Sequence, residues 1–127
     1  MDASKRWHDL PSLLALVRSA WITDEDPLTL HSRNFDSDTP LDTVIVWGDV
    51  RAAELLVRSG ADVNAPGEHR RTPLHHSAVF NQPVIAEIPL KAGADQAAKN
   101  VDGHTPFDLA RILRHRDVIA VFANSGI

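Results

Sequence analysis

The sequence predicts an all-α solenoid, a stack of short helical units in which each unit leans on the next. Three observations predict it. Thr39-Pro40-Leu41 recurs as Thr72-Pro73-Leu74 and again as Thr105-Pro106-Phe107, each time after 33 residues. Gly60-Ala61-Asp62 recurs as Gly93-Ala94-Asp95 at the same step. Between these marks, apolar residues fall at helical spacing and are bounded by residues that start and stop helices. A fixed period of this size means that one supersecondary unit is copied, and that each copy buries its apolar face only against its neighbours.

The elements follow in order. Leu10 to Ala20 reads as a helix with Leu10, Leu13, Leu14 and Val17 facing inward. Its Leu16-Val17-Arg18-Ser19 echoes Leu56-Val57-Arg58-Ser59, so it is expected to stand in for the end of a missing unit and to cap the stack. Trp21 to Arg33 then forms an acidic connection seven residues longer than the later one. In the first unit, Thr39 caps free N–H groups and Pro40 occupies the first helical turn. Leu41, Val44 and Ile45 have helical spacing, and Gly48 ends the helix. Asp49 starts a second helix, Val50 to Arg58, which buries Ala52, Leu55 and Leu56 and stops at Gly60. The second unit opens a helix at Thr72 that runs through Phe80. Asn81 takes the place of Gly48, and a further helix begins at Pro83. The third opens at Thr105, and a last helix from about Asp117 to Ala123 closes the chain.

Thr72-Pro73-Leu74-His75, Gly60-Ala61-Asp62-Val63-Asn64-Ala65, Gly93-Ala94-Asp95 and Asp102-Gly103-His104-Thr105-Pro106 together resemble the ankyrin repeat family. The resemblance covers residues 34–124. It implies two antiparallel helices per repeat, β-hairpin-like fingers between repeats and an elongated, curved body. The domain layout expected is a capping helix and acidic loop at 1–33, then one continuous domain of three repeats, 34–66, 67–99 and 100–127.

Several residues depart from the family pattern. Asp42 and Asp108 stand where His75 supplies the family's structural histidine, which the resemblance makes a tether between repeats. Ser37 and Arg70 stand where Gly103 supplies a finger glycine, which is expected to alter the fingers without destroying the fold. Pro89 falls at the register of Leu56. An interior proline costs about 3 kcal/mol and one backbone hydrogen bond, so that helix is expected to be short or kinked.

Composition bounds the function. The 127 residues suit a single domain, and the absence of cysteine excludes disulfides, thiolate nucleophiles and cysteine-ligated metals. No apolar run approaches the ~18 residues of a membrane span, and Met1 to Asp9 has no apolar stretch suited to a leader, so the cytosol is the expected location. A net charge of -4 argues against a general nucleic-acid binder. Residues 1–66 carry six Lys/Arg and eleven Asp/Glu, whereas 67–127 carry seven and six. The acidic first half is either plain solvated surface or a field that steers a basic partner.

Catalytic motifs are missing. There is no Gly-x-Ser-x-Gly, no phosphate-binding loop and no His-Glu-x-x-His. His75 and His76 are adjacent on one helix and point to different sides; His69, His104 and His115 fall on fingers or turns. No cofactor, no metal site and no enzymatic activity are expected. The alternatives kept open are a metal-dependent hydrolase using Asp36, Asp38 and Asp42, and a self-associating structural protein.

Binding of another protein is the favoured reading. The resemblance places the variable surface on the finger tips and on the exposed end of each first helix. Carried over, those ends are Val46 and Trp47, Val79 and Phe80, Ile112 and Leu113. Trp47, Phe80 and Leu113 share one repeat position and are expected to form a row, a residue class enriched at interaction hot spots. The finger candidates are Phe35, Asp36 and Asp38, then Glu68, His69 and Arg71, then Val101, Asp102 and His104. The chain is therefore expected to be a monomeric, stoichiometric binder, scaffold or inhibitor. Its resemblance to small free-standing bacterial ankyrin proteins adds the sub-hypothesis of an immunity-type protein that blocks a basic, nucleic-acid-cleaving toxin.

Overall fold

The computed structural model describes residues 7–125. Among them are seven α-helices and no strand: α1 (Leu10–Ala20), α2 (Pro40–Trp47), α3 (Val50–Arg58), α4 (Pro73–Val79), α5 (Pro83–Lys91), α6 (Pro106–Leu113) and α7 (Arg116–Ser125). The expectation about a leader rests largely on Met1 to Arg6, which lie outside the described residues.

The first helix of each repeat starts where Thr-Pro predicts. In α2 and α6 the threonine hydroxyl accepts from the N–H three residues on, and proline occupies the first turn. The turn after each first helix needs a left-handed residue. It is Gly48 (φ 74°), then Asn81 (51°), then Arg114 (59°) at the same repeat position. Second helices follow at once, and α3 and α5 give way to Gly60 (φ 105°) and Gly93 (φ 88°).

Stacking produces two layers. Helices α2, α4 and α6 pack side by side, α3, α5 and α7 form the second layer, and α1 lies against α2 and α3. Leu13, Val17, Leu41, Val44, Ile45, Leu56 and Ile85 form one core. Leu74, Ala78, Ala86, Ala110, Val118 and Phe122 form the other. Burying an aliphatic side chain of this size contributes about 1.5–3 kcal/mol, so the first cluster, richer in Leu, Ile and Val, is the stronger half.

The structure goes beyond or against expectation at several points. The long acidic connection is packed: Trp21, Leu28 and Ser32 are buried, and the Trp21 indole donates to Thr43 Oγ1 at 3.0 Å. Arg18 Nε donates to the Glu25 carbonyl at 2.7 Å, and the Ser32 hydroxyl donates to the Glu25 carboxylate. Helix α4 ends at Val79, leaving Phe80 as its cap, and α7 extends from Arg116 to Ser125. Pro89 does not shorten α5, which spans nine residues, as α3 does. The buried pyrrolidine ring fills the place that Leu56 fills one repeat earlier. Ser37 (φ 63°) keeps the single left-handed residue that Gly103 (φ 80°) supplies in the third finger, whereas the finger that holds Arg70 (φ 58°) is altered without loss of the fold, as expected.

The fingers are hydrogen-bonded turns without strand pairing long enough to form a sheet. Asn34, Gly67 and Asn100 each donate to the carbonyl four residues on, at 2.8–3.0 Å. In the first and third, the asparagine Oδ1 also accepts two backbone N–H groups. The second cannot have that side chain. A Cβ on Gly67 would lie 2.9 Å from the Ser37 carbonyl of the preceding finger. It turns instead through a short 3-10 segment in which His69 as well as Arg70 has φ 58°.

Candidate protein-interaction face

Three first helices packed side by side bring the same repeat position to one edge. Trp47, Phe80 and Leu113 are 41%, 46% and 44% exposed. Val46 and Ile112 beside them are also exposed, whereas Val79 is half-buried.

The fingers, which precede the N-termini of the first helices, carry mixed chemistry. Phe35 is 85% exposed, and Asp36 is exposed beside it, while Asp38 is half-buried. Glu68 and His69 are exposed, with His69 Nε2 3.6 Å from Glu68 Oε1. Arg71 is half-buried, and its Nε is buried without a hydrogen-bond partner. Val101 and Asp102 are exposed; His104 is half-buried. Neighbouring fingers are tied together. Arg33 donates to the carbonyls of Ser37 (2.8 Å) and Pro66 (2.9 Å), and the Val101 N–H donates to the His69 carbonyl at 2.9 Å. These bonds fix the spacing of the tips and make them one surface.

Beneath the surface, the position occupied by Asp42, His75 and Asp108 organises each repeat. All three side chains accept from the threonine N–H three residues earlier, at 2.9–3.0 Å. Only the imidazole can also donate. His75 Nδ1 accepts from Thr72, so Nε2 carries the proton and donates to the His104 carbonyl at 2.9 Å. That bond ties the second repeat to the third finger, the tether the resemblance implies. Burial holds the His75 pKa below its ordinary value, which keeps the neutral tautomer this geometry requires. His115 makes a second tether, its Nδ1 donating to the Ala78 carbonyl at 2.8 Å.

Asp42 has no proton to donate to the next finger. Its Oδ2 takes the Thr39 N–H, and its Oδ1 is buried without a hydrogen-bond partner. His76 of α4 points toward it: His76 Nε2 lies 3.7 Å from Asp42 Oδ1 and 3.7 Å from Asp38 Oδ1. Desolvation raises Asp42 to about 6 against the Thr39 hydrogen bonds, raises Asp38 and lowers His76. The three-carboxylate group kept open as an alternative, Asp36, Asp38 and Asp42, is not the set the structure brings together. Ligand atoms of Asp38, Asp42 and His76 converge within 4.8 Å, and Asp36 stands outside. Sequence reasoning missed His76, Arg33 and His115 because each finds its partner in another repeat or unit.

Among the described residues, no helix is long and apolar enough to cross a membrane. The family model for the ankyrin repeat matches residues 36–68. The chain is 38% identical over 91 residues to the E3 ubiquitin-protein ligase Ufd4 of Drosophila melanogaster, covering 69% of this chain and 3% of that protein. It is 34% identical over 97 residues to the ankyrin repeat and SAM domain-containing protein 6 of Rattus norvegicus, covering 76% of this chain and 11% of that one. Human protein phosphatase 1 regulatory subunit 27 matches at 38% over 69 residues, 54% of this chain and 45% of its own length. The chain spans less than half the length of each of these relatives.

Proposed function

Because the chain belongs to the ankyrin-repeat family, we propose that it is a non-catalytic protein-interaction module, binding its partner stoichiometrically in the cytosol and acting as an inhibitor or scaffold. The observation that carries this reading is the exposed row Val46, Trp47, Phe80, Ile112 and Leu113 at the C-terminal ends of the stacked first helices. Large aromatic side chains that are half-buried before binding lose little further conformational freedom when covered, which suits them as anchors. Interaction roles are also in keeping with relatives named as a phosphatase regulatory subunit and as a SAM-domain protein. Asp36 and Asp38 at the first finger favour a basic partner, since acidic residues on a docking surface steer and orient a cationic one. A basic, nucleic-acid-cleaving toxin neutralised by an immunity-type protein is one partner of that chemistry.

The test is affinity capture from extract of the native cell, wild type beside a Trp47→Ala/Phe80→Ala double variant, followed by reconstitution of the retained protein at defined stoichiometry. One basic protein that binds wild type one-to-one and is lost by a still-folded variant is the expected result. Retention of the same protein by both moves the interface off the row. Concentration-dependent mass of the purified chain, abolished in the variant, would replace partner binding by self-association.

A further inference from the structure

We propose that Asp38, Asp42 and His76 form a binding site for a divalent transition-metal ion of the zinc class, clamping the first repeat to the second. The site is built from three elements. Asp38 closes the first finger, Asp42 lies in the first turn of α2, and His76 belongs to α4 of the next repeat. Their ligand atoms all lie within 4.8 Å of one another.

What points to a ligand is the set of unpartnered atoms. Asp42 is fully buried, yet its Oδ1 has no hydrogen bond. The His76 side chain is 10% exposed, and neither ring nitrogen has one. Polar atoms this deeply buried are almost always satisfied, and each orphan costs about 1–3 kcal/mol. The 3.7 Å separations from His76 Nε2 to the two carboxylate oxygens are too long for hydrogen bonds. They suit an intervening ion. With bonds of about 2.1 Å, ligand atoms at a tetrahedral zinc stand roughly 3.4 Å apart, so the two His76 separations need to close by only about 0.3 Å, and the two carboxylates, within 4.8 Å of each other, by at most about 1.4 Å.

The chemistry selects the metal. One imidazole with two carboxylates is a mixed nitrogen–oxygen donor set, which favours zinc and its neighbours over calcium or magnesium. Three protein ligands leave a fourth position open, reached past the half-buried Asp38. Asp42 is already aimed, because its other oxygen holds the Thr39 N–H at 3.0 Å. Burial disfavours the imidazolium, which leaves His76 in the neutral form that ligates. The nearby cations do not fill the site. Arg33 is engaged by the Ser37 and Pro66 carbonyls, and among the described residues the ion-pair contacts of Asp38 and Asp42 are with His76, not with an arginine. A dication also balances two carboxylates that the protein otherwise buries against a neutral imidazole.

The experiment is calorimetric titration of the chelator-stripped full chain with Zn2+ near neutral pH, for wild type, Asp38→Asn, His76→Gln and the control His69→Gln. Wild type and His69→Gln are expected to bind one equivalent with equal affinity. Asp38→Asn and His76→Gln are expected to bind at least ~10-fold more weakly. Co2+ in wild type should give the intense visible absorption of a low-coordinate site, and Zn2+ should raise the thermal midpoint of wild type but not of Asp38→Asn. If His76→Gln does not fold, Asp38→Asn and the cobalt spectrum decide. Absence of a one-equivalent site in wild type, or a site that survives Asp38→Asn unchanged, overturns the proposal and leaves the cluster as a buried ion pair.

Discussion

Replacing His75 by alanine isolates what joins one repeat to the next. The imidazole is fully buried, and it contacts Thr72 N at 3.0 Å, Thr72 Oγ1 at 2.9 Å and the His104 carbonyl at 2.9 Å. Alanine strands a buried Thr72 N–H, at about 1–3 kcal/mol, and removes a net ~1 kcal/mol from a His104 carbonyl that water can reach. Loss of the ring's packing adds about 1 kcal/mol. The expected cost is therefore roughly 3–5 kcal/mol, a large part of a domain's typical ~5–15. Asp108→Ala is the internal reference, because it removes the same threonine contact at 2.9 Å, near the surface and with no tether to lose. Its cost should be about 0.5–1 kcal/mol. Urea unfolding followed by circular dichroism reads both. With slopes of about 1–3 kcal/mol per molar, the His75→Ala midpoint should fall by at least ~1 M and the Asp108→Ala midpoint by less than half of that. Equal midpoints for the two variants would refute the tether.

Two further outcomes follow from the same turns. Gly67→Ala should destabilise the chain by about 1–3 kcal/mol, since its Cβ would press on the Ser37 carbonyl at 2.9 Å, while Gly103→Ala, with open space around it and only φ 80° to resist it, should cost about 1 kcal/mol; a thermal melt of each compares them, and the reverse ranking would sink the close-approach account. The Asp108 pKa is lowered chiefly by the Thr105 N–H, so its stabilisation is present above the ordinary 3.8 and is lost as pH falls through the lower folded value. The gap in urea midpoint between wild type and Asp108→Ala should therefore hold at pH 6 and close in more acidic buffer, and a gap that widens on acidification would contradict the assignment.

The features visible in the sequence are those set by local chemistry. Thr-Pro starts, left-handed stops and apolar spacing located α1, α2 and α3 to the residue, because each depends on groups within a few positions along the chain. The family pattern then placed Trp47, Phe80 and Leu113 in one row, and all three are exposed. Features that join repeats were hidden. Gly67 looks like any turn glycine until the Ser37 carbonyl is seen above it, and Trp21, which reads as loop, is buried through contact with α2. Pro89 reads as a helix breaker, yet its ring supplies core volume that no local rule anticipates. His76 carries no linear signal, since its neighbours Asp38 and Asp42 are more than thirty residues away.

The Asp42, His75 and Asp108 position shows how one repeat site comes to do different work. All three side chains cap their own helix alike, so local folding tolerates either residue. The difference lies in what the second polar atom meets. At His75 it meets the His104 carbonyl of the next finger, and a donor there closes a bond between repeats. At Asp108 it meets no further finger among the described residues and is partly open to solvent. At Asp42 it is buried in the interior of the stack, facing a donor-poor space shared with Asp38 and His76. A carboxylate in the one interior position that cannot tether by itself makes sense if something cationic completes the junction. On that argument, Asp42→Asn, whose amide oxygen can still accept from the Thr39 N–H and whose NH2 adds a donor, should hold the junction without metal, while abolishing any Zn2+-dependent rise in the thermal midpoint. A variant whose melting still responds to Zn2+ as wild type does would separate the metal from Asp42 and break the link between the missing tether and the ion.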